Sequence, residues 1–139
     1  MPSAVRREGT GGGGGAPPQS EKMILALVDD LMFASKIRTT ANQLGVTVTF
    51  ARSSDAALAE MRKQAPSLVI LDLNNPRTDP LGTVASMKAE PALATIPTVG
   101  YASHVLTDVI EAARQAGVGE VLARSAFAGR LPEILGRGR

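Results

Sequence analysis

A chain of 139 residues accommodates one domain and leaves no room for a second globular unit. The absence of cysteine excludes disulfides, thiol nucleophiles and thiolate metal sites, and a lone histidine argues against a histidine-built zinc centre, so a hard cation such as Mg²⁺ held by oxygen is the metal to consider. The net charge of +2 is carried by Arg6, Arg7, Lys22, Arg137 and Arg139 near the ends; over residues 23–136 ten basic side chains meet eleven acidic ones, which disfavours nucleic-acid binding through a compact basic face.

Residues 1–22 read as a flexible Gly/Pro-rich arm, because a glycine run followed by Pro17 and Pro18 cannot support a core. The arm has no apolar stretch of the kind a secretory signal needs. No run in the chain approaches the ~18 apolar residues of a membrane span, so a soluble, cytoplasmic protein with no membrane contact is expected. Residues 137–139 read as a basic tail. Aromatics are only 3% of the chain, so Ala, Val, Leu and Ile must build the core; Phe33, Phe50, Tyr101 and Phe127 are the only rings. His104 reads as a surface or loop residue.

From Met23 onward, short apolar runs alternate with stretches of helical period, the pattern of a parallel α/β sheet. Residues 23–28 (MILALV) form a buried strand, and residues 31–44 a helix with Phe33, Ile37, Ala41 and Leu44 on one face, stopped by Gly45. Residues 46–51 (VTVTFA) alternate as a strand exposed on one side. Ser53 or Ser54 then caps a helix that buries Ala57, Leu58, Met61 and Ala65 and ends at Pro66. Residues 68–71 (LVIL) form the most apolar and hence central strand, delivering Asp72 at its end. A turn-rich connection over 74–80 leads to a short helix at 81–88, a fourth strand at 98–101, a helix at 108–116 closed by Gly117, and a fifth strand at 119–122. One final helix buries Phe127, Leu131, Ile134 and Leu135. The fold class is α/β, with one doubly wound, five-stranded parallel sheet.

In such sheets ligands lie beyond the carboxyl ends of the strands. That edge carries Asp29 and Asp30 after the first strand, Asp72 after the third, Ala102 and Ser103 after the fourth, and Arg124 after the fifth. Asp30 alone could merely cap a helix and Asp72 merely open a turn. Together the three aspartates form an acidic pocket suited to a hard divalent cation.

With ALVDD as an acidic pair and VILDLNNP as a phosphoacceptor strand and loop, residues 23–136 resemble the receiver domain of response regulators, the CheY-like superfamily. The resemblance implies the flavodoxin-like strand order 2-1-3-4-5 and phosphorylation at Asp72. It further implies Mg²⁺ held by Asp30, Asp72 and the backbone carbonyl of Asn74, with Asp29 acting through water. A histidine kinase or phosphotransfer protein would supply the phosphoryl group. The response would be read by a downstream effector, or by a second copy of the chain in a homodimer, through the face formed by the fourth and fifth helices and the fifth strand.

The pattern departs from the family at three places. Ala102 stands where a Thr or Ser is usual, and a methyl cannot hydrogen-bond a phosphoryl oxygen; Ser103 substitutes only if the strand has ended or bulged before it. Arg124 replaces the usual Lys, keeping the charge with a different geometry, and suits phosphoryl contact. Val121 replaces the switch aromatic.

The expected function is a single-domain receiver protein in phosphorelay signalling, not an enzyme. A phosphorylation-independent pseudo-receiver acting as an interaction scaffold is the alternative. An aspartyl-phosphate hydrolase is disfavoured because Asn74 stands where its general acid would be. A flavin carrier is disfavoured by the acidic loop after the first strand, where a phosphate-binding loop is expected.

Overall fold

The computed structural model describes residues 22–103 and 107–138, so His104 and residues 1–21 of the arm lie outside the described residues. Five parallel strands, β1 (Met23–Leu27), β2 (Thr47–Ala51), β3 (Leu68–Asp72), β4 (Thr98–Ala102) and β5 (Glu120–Ala123), form one sheet in the order β2-β1-β3-β4-β5. This is the expected flavodoxin-like order.

The three inner strands β1, β3 and β4 are buried at every residue, as a sheet covered on both faces requires. One face packs α1 (Leu31–Leu44) and the C-terminal helices over Ile24, Ala26, Leu68, Ile70, Val99 and Tyr101. The other packs α2 (Ser54–Lys63) and α3 (Pro80–Ala89) over Leu25, Leu27, Val69 and Leu71, with α4 (Thr107–Ala116) contributing Ala113. On the edge strand β2 the expected alternation is blurred. Val48, Thr49 and Phe50 are all half-buried, and the Arg38 guanidinium covers the Phe50 ring at 4.6 Å.

Local signals explain the boundaries. Gly45 adopts φ 69°, and its amide closes the last turn of α1 onto Ala41 and Asn42, so the expected stop is realised. Ser53 is the cap of α2, its hydroxyl accepting from the Ala56 amide at 3.1 Å. Ala65, expected on the buried stripe, lies past the end of α2 and is exposed: Pro66 disfavours helical backbone in the residue before it. The connection over 74–80 contains a 3₁₀ turn at Pro76–Thr78, and Asp79 at φ 49° accepts from the Gly82 amide to start α3.

The final helix is two helices, α5 (Arg124–Gly129) and α6 (Leu131–Arg137), broken at Arg130. Pro132 has no amide hydrogen to continue the ladder, so the chain restarts there with the proline in the first turn. Phe127, Leu131, Ile134 and Leu135 are all buried as expected. Arg137, assigned on sequence to the basic tail, instead ends α6. It binds Glu120 and Glu133 at 2.7 Å each, and the buried Gly138 accepts from the Ser67 hydroxyl at 2.6 Å, so the packed domain extends to Gly138.

Candidate functional site

The carboxyl ends of β1, β3, β4 and β5 meet at one edge, where Asp29, Asp30, Asp72, Ala102 and Arg124 are found. Asp30 caps α1: its Oδ1 accepts from the amides of Met32 at 3.0 Å and Phe33 at 3.2 Å. Its Oδ2 accepts from Arg124 Nη2 at 2.8 Å. Those helix amides, aided by Arg124, hold the Asp30 carboxyl below its usual pKa. Asp29 points elsewhere. Its Oδ1 binds Arg52 Nε at 2.6 Å, Arg77 lies 3.7 Å from its Oδ2, and the hydrogen bond from Arg52 lowers its pKa.

Asp72 ends β3 and is 6% exposed. Its Oδ1 accepts from the Asn74 amide at 2.9 Å, a short turn that fixes the carboxylate on its strand. Burial raises its pKa, and the nearby negative charge of Asp30 adds to this, so the amide of Asn74 and the positive charge of Arg124 only partly offset the loss of water. Asn74 also links two strand ends, its Oδ1 accepting from the Ser103 amide at 2.6 Å.

Arg124 begins α5 directly after β5. Its guanidinium carbon lies 4.7 Å from the centre of the Phe33 ring, so the side chain is held by an ion pair at one end and a ring face along its plane. Phe33, Tyr101 and Phe127 form a cluster below it, with centroids 4.7, 5.7 and 4.8 Å apart.

The response regulator receiver domain model matches residues 24–135. The chain belongs to the response regulator receiver family. Among solved structures, this receiver resembles the phosphorylated cyanobacterial phytochrome response regulator RcpA at 27% identity and TM-score 0.69, covering 83% of this chain and 89% of that one. It resembles a response regulator protein from Burkholderia multivorans at 27% identity and TM-score 0.68, covering 83% and 92%. The chemotaxis protein CheY4 of Vibrio cholerae shares the fold at 19% identity and TM-score 0.74, covering 85% and 98%. No match was found among curated proteins. The receiver therefore works in two-component signalling, as a signalling module.

Within the receiver, Ala102 is the last residue of β4, is 3% exposed and offers only a methyl. Ser103 lies just past the strand end and is exposed, so the pleat no longer forces it to the opposite face. Val121 is half-buried on β5 against the α3 and α4 side. Arg52 and Arg77, missed on sequence, flank Asp29; both follow strands that end at this edge, the rule that singled out the aspartates. On sequence Tyr101 is only one of the four rings, at the end of the fourth strand, whereas its register partner is Asp72.

The oxygen donors fit a hard divalent cation in kind. Asp72 fits it electrostatically too, being a buried carboxylate short of positive charge. The three carboxylates do not converge as a ready-made ligand group, and among the described residues no other such group exists. Asp29 is turned to Arg52 and Asp30 to Arg124, so a cation shared by Asp30 and Asp72 would meet a guanidinium already paired with Oδ2. No helix among the described residues is long and apolar enough to cross a membrane.

Proposed function

We propose that this receiver accepts a phosphoryl group on Asp72 and signals by protein–protein interaction. The observation that carries the reading is the placement of Asp72: buried at the end of the central strand, with Oδ1 fixed by the Asn74 amide and with Asp30 and Arg124 beside it. The second oxygen, Oδ2, is then the nucleophile. It attacks phosphorus in line, the phosphorus–nitrogen bond of a phosphohistidine breaks, and the imidazole leaves after taking a proton. The donor is a histidine kinase or phosphotransfer protein in the cytoplasm. The readout is a downstream effector protein or a second copy of the chain, not nucleic acid or membrane.

In this reading Asp30, Asp72 and the Asn74 carbonyl would hold Mg²⁺, and Asp29 would support it through water once turned from Arg52. Bound there, Mg²⁺ supplies positive charge against the incoming phosphoryl oxygens. Arg124, released from Asp30, is placed to bind a phosphoryl oxygen, with Ser103 as a second candidate contact. Incubation with acetyl phosphate and Mg²⁺ should add one phosphoryl mass to the protein and none to Asp72→Ala. Absence of any adduct on the unaltered chain rejects the reading.

Ala102 and Val121 favour a second reading, a pseudo-receiver that acts as a scaffold without phosphorylation. It requires that Asp72→Ala, folded normally, leave signalling output in cells unchanged.

A further inference from the structure

Asp72 and Tyr101 are register partners on the adjacent strands β3 and β4. Residues in register on parallel strands point to the same face. Tyr101 accordingly packs with Val99 in the cluster that contains Leu68 and Ile70, the residues that share Asp72's face of β3. Tyr101 is 1% exposed, and its buried hydroxyl makes no hydrogen bond of standard geometry; the polar group it interacts with is the Asp72 carboxylate. A buried hydroxyl needs a partner, and the only one this hydroxyl is directed at is the phosphoacceptor candidate, at less than full hydrogen-bond geometry.

The ring cannot simply swing out to water. Phe33 on α1 and Phe127 on α5 pack against it at 4.7 and 4.8 Å. Burial, and next the charge of Asp72, push the phenol pKa upward, and a side-chain hydrogen bond to that carboxylate adds to the rise, so the hydroxyl is a protonated donor directed at Asp72. The neighbouring position, Ala102, offers no hydroxyl.

We propose that the Tyr101 hydroxyl is the hydrogen-bond donor to the phosphoryl group carried by Asp72, supplying from inside the sheet the contact that Ala102 cannot make. The inference rests on the reading of Asp72 as phosphoacceptor. It makes Tyr101 a binding residue whose ring contacts carry occupancy of Asp72 to α1 and α5, where an exposed hydroxyl at the pocket mouth would leave the rings undisturbed.

The test exploits composition. Tyr101 is the only tyrosine and there is no tryptophan, so 3-fluorotyrosine gives a single ¹⁹F resonance from this residue. Mg²⁺ with fluoroberyllate, a phosphoryl analogue, is titrated into the labelled chain while backbone amide shifts at Asp72 and Asn74 report analogue binding independently. The ¹⁹F resonance should move in step with those amides, and neither should move in Asp72→Asn. Tyr101→Phe should bind the analogue about fivefold more weakly, the equivalent of one hydrogen bond of about 1 kcal/mol. Amide shifts with a stationary ¹⁹F resonance, or with equal affinity in a folded Tyr101→Phe, overturn the role of Tyr101 alone. If Tyr101→Phe does not fold, the ¹⁹F response of the labelled chain decides. No amide response in the labelled chain overturns this inference together with the phosphoacceptor reading.

Discussion

Arg124 reaches Asp30 across 94 positions of sequence, its Nη2 lying 2.8 Å from Oδ2, with the guanidinium above the Phe33 ring. The protein thereby supplies its own cation to a carboxylate oxygen of the proposed metal site. A metal bound at the proposed site would compete with Arg124 for Oδ2, and the outcome would be set by how much the internal pair is worth.

That pair is partly exposed, with side chains 40% and 36% accessible, so it contributes at most about 1 kcal/mol. Arg124→Gln should therefore unfold within about 1 kcal/mol of the unaltered protein and bind Mn²⁺ up to about fivefold more tightly. Paramagnetic broadening of the Asp30 amide measures the second quantity. Arg52→Gln provides a control at Asp29 that should leave Asp30 unaffected. Equal Mn²⁺ affinity in Arg124→Gln and the unaltered chain would show that Arg124 does not compete.

Asp30 also caps α1, and this role separates from the ion pair by substitution. Asp30→Ala should cost about 1 kcal/mol in urea denaturation at pH 7, whereas Asp30→Ser, which keeps a capping oxygen, should recover most of that. The folded pKa of Asp30 is lowered, so its stabilisation is complete above the unperturbed 3.8 and lost as pH falls through the folded value. The gap between the unaltered protein and Asp30→Ala should accordingly close in acid.

Much of this edge was legible in the sequence because strand ends are marked by where continuous apolar runs stop. MILALV ends at Val28, immediately before Asp29 and Asp30, and LVIL ends immediately before Asp72, so three carboxylates fall on one edge. Less legible was which direction each carboxylate faces. Asp29 turns to Arg52 and Arg77, and Asp30 turns to its own helix and Arg124, basic partners 23, 48 and 94 residues away along the chain that no local pattern pairs. Tyr101 was hidden for a different reason. An apolar strand shows no alternation when both faces are buried, so only the register Asp72↔Tyr101 reveals that the ring shares a face with the aspartate. The break between α5 and α6 had its signal in Pro132, outweighed by an apolar stripe that continues across it.

The three-ring cluster carries much of the packing between β4, α1 and α5. Phe127 is fully buried and packs at a tilt against Tyr101 and Phe33. Phe127→Ala should cost about 3–5 kcal/mol, a large share of the stability of a domain this size. Tyrosine emission followed through a urea titration reports the loss directly, since Tyr101 is the only emitter of its kind. A cost under about 1 kcal/mol would mean that α5 contributes little to holding the ring cluster.

Asp72 behaves in the opposite sense to Asp30. Burial raises its folded pKa, so the charged form is penalised in the fold; the penalty is fully present above the folded pKa and fades as pH falls toward the unperturbed 3.8. Asp72→Asn keeps the side-chain carbonyl that accepts from the Asn74 amide and carries no charge to bury. Without added Mg²⁺, it should be more stable than the unaltered protein at pH 7 by about 1 kcal/mol, a rise in Tm of roughly 4 °C, and the difference should shrink in acid. Thermal melts at pH 7 and pH 4 make the comparison. Asp72→Asn melting lower than the unaltered protein at pH 7 would mean that Arg124 and the Asn74 amide already satisfy the carboxylate, and that Asp72 is not the cation-poor centre of this edge.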